Sequence, residues 1–183
     1  FELLTPRTNH TATRLPSGAL LVVGGGLTNS IGGPAGDEVL SSVELFDASA
    51  GSIEAAPLAA ARSHHTATLL HDGRVLVVGG ASDGHSQSAS FGDELGSVEI
   101  YDPSADAWLA GPPLATPRFL HTATLLADGR VVIAGGSNAA EAEIVSSEIF
   151  DPSSDSWSAG PALNEARVFH AAAALPDGGA LVV

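Results

Sequence analysis

The chain has 183 residues, 44% hydrophobic and only 15% charged, enough apolar material for a substantial core and too much for a disordered chain. Seven basic residues, all arginine, against 21 acidic ones give a formal net charge of −14, which excludes nucleic acid as an expected partner because phosphate binding depends on clustered cations. With no cysteine there is no disulfide framework, thiolate metal site or cysteine nucleophile, and no apolar run reaches the roughly 18 to 20 residues of a membrane span, so no membrane insertion is expected.

Residues 1–6 match only the end of an outer strand, and the first full motif opens at Arg7. The stretch RTNHTATRLPSGALLVVGG from Arg7 returns as RSHHTATLLHDGRVLVVGG from Arg62, as RFLHTATLLADGRVVIAGG from Arg118 and, in part, as RVFHAAAALPDGGALVV from Arg167. Aligned on Arg-x-x-His, the histidines His10, His65, His121 and His170 lie 55, 56 and 49 residues apart, a period that belongs to propeller-type repeats. Residues alternate after each arginine, with His121, Ala123 and Leu125 on one side and Leu120, Thr122 and Thr124 on the other. This predicts a strand a that includes the histidine. Asp72-Gly73, Asp128-Gly129, Asp177-Gly178 and the looser Ser17-Gly18 follow at one offset and predict a tight hairpin into strand b.

Strand b is almost wholly apolar (Ala19 to Val23, Val75 to Val78, Val131 to Ala134), which predicts burial on both faces. Each complete copy closes strand b with a glycine pair, Gly24-Gly25, Gly79-Gly80 or Gly135-Gly136, allowing positive φ or close backbone approach. A connection of unequal length follows: residues 26–40 and 81–95 against the shorter 137–144. Strand c then reads Val43-Glu44-Leu45-Phe46-Asp47, Val98-Glu99-Ile100-Tyr101-Asp102 and Ser147-Glu148-Ile149-Phe150-Asp151. Seven positions past its aromatic (Phe46, Tyr101, Phe150) stand Ile53, Trp108 and Trp157, opening a Pro- and Gly-rich edge strand d. The copies divide the chain into units 7–61, 62–117 and 118–166, with 167–183 supplying strands a and b of a fourth. Closed propellers usually have about 4 to 8 blades, so the remaining blades are expected from the rest of a longer chain.

Strand c carries one acid per copy, Glu44, Glu99 or Glu148, in an otherwise apolar strand. An ionised carboxylate there is costly unless paired, which predicts pairing with the recurring Arg7, Arg62, Arg118 and Arg167 series. An arginine clamp for an anionic ligand fits less well, because a ligand needs such a residue once and not in every copy. The four histidines cannot share one metal: ligand nitrogens lie about 2 Å from zinc, whereas equivalent positions on stacked sheets are about 10 Å apart. They are expected to be partly buried and hydrogen-bonded to backbone, with His64 and His65 on opposite faces of a strand. No metal site and no cofactor is expected. Antiparallel succession puts the a-b and c-d turns on one face and the b-c and d-a connections on the other. The polar residues that break the repeat lie in the b-c connections: Asn29, Asp37 and Glu38, then Asp83, His85, Asp93 and Glu94, then Glu141 and Glu143. They are the candidate binding residues. Calcium would favour such oxygen-rich loops, but no EF-hand-like spacing is present.

A glycine pair, an aromatic on strand c, a Trp seven positions later and an Arg before strand a together resemble the Kelch repeat, one four-stranded blade of a β-propeller. The resemblance covers essentially the whole chain and implies an all-β Kelch propeller of about 3.5 blades, in the superfamily of galactose-oxidase central domains. The Asp-Gly-Arg hairpins resemble the bacterial, often secreted branch, implying an extracellular, periplasmic or cell-surface location. Kelch propellers serve as protein-binding platforms, carbohydrate-binding modules and parts of sugar-processing enzymes. A galactose-oxidase-like copper site needs a Tyr-Cys cross-link and a second tyrosine; this sequence has no cysteine and one tyrosine, Tyr101, at the aromatic position of strand c. The expected function is a non-catalytic module binding a protein or glycan through its b-c face. The alternative is the propeller part of a carbohydrate-active oxidase, epimerase or hydrolase whose catalytic residues lie outside these residues.

Overall fold

In the computed structural model, residues 2–27, 38–82 and 93–183 are described. They form 14 strands and, among them, no helix. Blade I comprises β1 (Thr11–Arg14), β2 (Leu20–Val23), β3 (Val43–Asp47) and β4 (Gly51–Ala55). Blade II comprises β5 (Thr66–Leu69), β6 (Val75–Val78), β7 (Val98–Asp102) and β8 (Ala107–Gly111). Blade III comprises β9 (Thr122–Leu125), β10 (Val131–Ala134), β11 (Ser147–Asp151) and β12 (Ser156–Ala159), and a two-stranded sheet of β13 (Ala172–Ala174) and β14 (Ala180–Val182) follows. Every pairing is antiparallel between sequence neighbours, and β1, β5, β9 and β13 contact one another in succession. The chain is an all-β partial propeller with those strands innermost.

Strand b owes its apolar character to its place between two interfaces. Val75 and Val77 of β6 join Leu21, Val23, Val43 and Tyr101 in the core between blades I and II. Leu76 and Val78, their pleat neighbours, join Ile100, Val131, Ile133 and Phe150 in the core between blades II and III. One strand feeds two cores, and each fully buried aliphatic contributes about 1.5–3 kcal/mol. The Asp-Gly hairpins form as their sequence dictates. Gly73 takes φ +90°, and the Asp72 carboxylate accepts from the Arg74 backbone N–H at 3.0 Å, fixing the turn.

Three details differ from the sequence reading, each for a local reason. Strand a starts one residue after the histidine in blades I to III and two after it in the last sheet, because the residue before the histidine is left-handed: Asn9, His64, Leu120 and Phe169 have φ of 53 to 55°. His64 and His65 therefore do not lie back to back on a strand. Strand d stops short of the proline-rich stretch, β8 ending at Gly111 before Pro112, because proline offers no N–H to the ladder. The third is in blade I, whose c-d turn is one residue shorter. Tyr101 pairs with Trp108 and Phe150 with Trp157, but Phe46 pairs with Ser52, so Ser52 and not Ile53 occupies the tryptophan position.

That register has a measurable consequence. Trp108 lies over Tyr101 and Trp157 over Phe150, each with ring centroids 5.0 Å apart. Each indole also donates to the preceding blade, to the Ala56 carbonyl or the Pro112 carbonyl at 2.7 Å. Ile53 sits on the opposite face, 56% exposed, as Leu109 does in blade II. Ser52→Trp is expected to raise stability by about 1 kcal/mol through a ring pair with Phe46, whereas Ile53→Trp gains nothing. Urea midpoints at constant m check this.

Candidate functional site

The b-c face is built from a joint repeated in each blade. In blade III, Arg118 Nη2 donates to Glu148 Oε1 at 3.1 Å and to Ser146 Oγ at 2.9 Å. Its Nη1 donates to the Gly135 and Ser146 carbonyls, both at 2.9 Å, and its Nε to the Thr116 carbonyl at 3.2 Å. The Glu148 carboxylate accepts two further bonds, from Ala115 N–H at 2.8 Å and Thr116 N–H at 3.2 Å. Arg62 with Glu99 and Arg7 with Glu44 repeat the ion pair, both at 2.6 Å, and the Nη bonds, although the Nε bond recurs only at Arg7. All three arginine side chains are fully buried. Burial pulls the Arg62 and Arg118 guanidiniums down from their ordinary value, with the glutamates opposing. Each joint thus clamps the connection arriving from one blade onto strand c of the next. The arginines are committed to structure and not open to a ligand.

The glycine pair lets the following blade approach. A Cβ on Gly79 would stand 2.5 Å from the Arg118 carbonyl. Gly80 N–H donates to that carbonyl at 3.0 Å, as Gly25 does to Arg62 and Gly136 to Arg167. The left-handed residues form a second backbone link closer to the axis, His64 N–H to the Asn9 carbonyl at 3.1 Å and Leu120 N–H to the His64 carbonyl at 3.2 Å. The histidines form a third. Nε2 of His65, His121 and His170 meets the hydroxyl of Thr11, Thr66 and Thr122, at 2.9, 3.0 and 2.9 Å, a side-chain partner on the preceding blade.

Of the candidate binding residues, Asn29, Asp37, Asp83 and His85 lie outside the described residues. Glu38 and Asp93 are exposed at the feet of the two long connections. The Glu38 carbonyl accepts from Leu27 N–H at 2.9 Å, and the Asp93 carbonyl from Ser82 N–H at 3.0 Å. Glu94 is half-buried and bridges to Ala81. Glu141 and Glu143 are exposed in the short connection, where Asn138 Oδ1 accepts from Ala140 and Glu141 N–H at 2.9 and 2.7 Å. These residues share a face but not a cluster, and no group of three or more His, Asp or Glu side chains poised for a metal occurs among the described residues. The sequence reading placed Leu120 and His64 on strand a and did not single out their position, shared with Asn9 and Phe169, as part of a site. The signal was present: an invariant frame, Arg-x-x-His, around a residue that differs in every copy.

The opposite face carries clefts between hairpins. One of about 680 Å³ lies between blades I and II, lined by Pro16, Leu45, Asp72, Arg74, Tyr101 and Asp102, and one of about 410 Å³ between blades II and III. Their charges largely satisfy each other: Asp72 with Arg74 and Asp128 with Arg130 pair at 2.7 Å within their own turns. These clefts recur with the repeat, whereas the b-c face is where the blades differ.

Blades joined in succession around an inner row of strands, with unequal connections gathered on one face, define part of a β-propeller. Residues 62–115 match the model of the Kelch motif. The solved structure of YjhT has the same fold, with a TM-score of 0.75 and 15% identity over 94% of this chain and 57% of that one. An F-box/kelch-repeat protein of Arabidopsis thaliana is 36% identical over 80 residues, 43% of this chain and 19% of that protein. Kelch domain-containing protein 9 of Mus musculus is 32% identical over 136 residues, 73% of this chain and 36% of that protein. Galactose oxidase of Gibberella zeae is 29% identical over 123 residues, 66% of this chain and 16% of that enzyme. Together these similarities support a Kelch-repeat propeller fragment. It spans between 16% and 36% of the length of these curated relatives.

Proposed function

We propose that the chain is a non-catalytic interaction module that binds a protein or glycan partner through its b-c face. One observation carries this reading. The recurring polar side chains of that face are used up in joining blades, while the residues that vary from copy to copy stand on rigid, hydrogen-bonded feet. Rigid scaffolds that present variable loops are the usual setting of recognition. The test replaces residues 26–40 and 81–95 by the short connection 137–144 in the full-length protein. Partner pull-down and glycan-array signals are expected to vanish while the circular-dichroism melt persists. Retained binding refutes the assignment to this face.

The similarity to galactose oxidase supports a second reading, the propeller part of a carbohydrate-active enzyme whose catalytic residues lie outside this chain. Tyr101 is not free to serve such chemistry, being fully buried under Trp108 with its hydroxyl donating to Asp106 at 2.8 Å. Turnover of oligosaccharides by the full-length protein, lost on mutating residues beyond 1–183, would favour this reading over the module.

A further inference from the structure

The repeat places a left-handed backbone at one position that is never glycine. Among the described residues, its other left-handed positions on this face are glycine in every complete copy, φ +58 and +95° at Gly24 and Gly25, +62 and +98° at Gly79 and Gly80, +64 and +96° at Gly135 and Gly136. Yet Asn9, His64, Leu120 and Phe169 hold φ of 53 to 55° with side chains for which that conformation is unfavourable. Leucine and phenylalanine gain nothing there from a local hydrogen bond. Glycine would satisfy the backbone links between blades at no steric cost. Strain kept in every copy, with a different side chain each time, points to a role for the side chains.

Their position says what that role is. Asn9, His64 and Leu120 each lie one residue beyond the bridge that anchors the b-c connection (Thr8 to Gly26, Ser63 to Ala81, Phe119 to Ser137), and Phe169 holds the equivalent place before the inner strand β13. His64 and Leu120, with a sheet on either side, are half-buried; Asn9 and Phe169, on the two end sheets, are exposed. Around them stand the exposed carboxylates of Glu38, Asp93, Glu141 and Glu143. The cations of this face are few and already engaged. Arg7, Arg62 and Arg118 are buried in the joints, Arg118 also attracting Glu141, and the partly exposed Arg167 pairs with Glu165 at 3.6 Å. Arg14, Arg74 and Arg130 sit at the a-b turns of the opposite face, and the connections 26–40 and 81–95 contain neither Arg nor Lys. Burial also pushes the His64 imidazole below its ordinary value, so it presents a neutral ring. An apolar and neutral-polar centre inside an acidic rim repels anions and suits a cationic chain with apolar stems.

We infer that these four left-handed residues line a binding site, at the inner edge of the b-c face, for a basic peptide segment of a partner protein whose Lys or Arg stems lie against Leu120 and Phe169. This rests on the interaction-module reading. The test uses the full-length protein and labelled short peptides alternating Lys with Leu, a Glu-Leu counterpart, and a panel of neutral oligosaccharides. The Lys-Leu peptide is expected to bind, and Asn9→Gly, Leu120→Gly and Phe169→Gly each to weaken it about tenfold without lowering Tm. These variants leave the charge untouched, so equal binding by variants and parent would expose plain electrostatic attraction and overturn the site. Binding of only the acidic peptide or an oligosaccharide, or of no probe, overturns the ligand class. Replacing residues 26–40 and 81–95 separates the two ideas: if that abolishes partner binding while the glycine variants do not, this inference fails and the module reading stands.

Discussion

Arg118→Ala is expected to destabilise the chain by about 3–5 kcal/mol, the cost of breaking a buried, hydrogen-bonded ion pair from one side. The size follows from what remains. Glu148 is left with its carboxylate almost fully buried, still holding the Ala115 and Thr116 N–H groups but with no countercharge, and the Gly135 and Ser146 carbonyls each lose a donor. Glu148→Gln should cost less, about 1–2 kcal/mol, because an amide oxygen still accepts one linker N–H. Arg130→Ala, which removes an exposed partner of Asp128, is expected to change stability by under about 1 kcal/mol. Urea unfolding of the three variants at low and high salt checks the ranking, with only the exposed pair sensitive to salt. Hydrogen exchange at the Ala115 and Thr116 amides should rise most in Arg118→Ala, since those groups tie β8's exit to blade III. If Arg118→Ala costs no more than Arg130→Ala, the joint does not hold blades together.

The blade was legible because its determinants are periodic. Apolar strand b, Asp-Gly turns and glycine pairs recur at fixed offsets, and an acid alone on apolar strand c has few affordable states other than an ion pair with an arginine that recurs with it. What escaped was set by single residues acting against the pattern. Leu120 fits an alternating strand by composition, and only the backbone shows it left-handed. Ser52 replaces tryptophan in register because the c-d turn of blade I is one residue shorter than that of blade II, which spacing from Phe46 could not reveal. A serine also meets each arginine, Ser146 in blade III, while its neighbour Ser147 turns to the Pro161 carbonyl at 2.6 Å, and the sequence does not say which of two adjacent serines takes which place. The hydroxyl partners of the histidines lie about one repeat away and belong to tertiary geometry. The candidate site was legible as a face, from the alternation of turns and connections. Its inner row was not, because a varying residue inside a constant motif looks like noise until its φ is known.

Acid is expected to unfold the chain from a surprisingly high pH, losing about 4 kcal/mol between pH 7 and pH 5. His65 and His121 are buried between inner strands, and burial, reinforced by the Arg62 and Arg118 guanidiniums, pushes each imidazole down to about 3. The unfolded chain titrates near 6.5, so as pH falls it takes up protons that the folded chain refuses. Stability is therefore full above the unfolded value and drains away as pH falls below it, by about 1.4 kcal/mol per unit for each histidine, until the folded value is reached. The window between pH 7 and pH 5 requires only that both folded values lie below 5. Asp47, Asp102, Asp128 and Asp151 act elsewhere: hydrogen bonds from their own turns hold them below the ordinary carboxylate value, so their contribution is present above about 4 and is lost only in stronger acid. His121→Gln, whose amide can still meet the Thr66 hydroxyl, should remove about half the slope in this window while costing some stability at pH 7. Urea midpoints at half-unit steps of pH supply the measurement. A parent chain equally stable at pH 7 and pH 5 would mean that these rings accept protons in place, and that the threonine link between blades survives a charge at its centre.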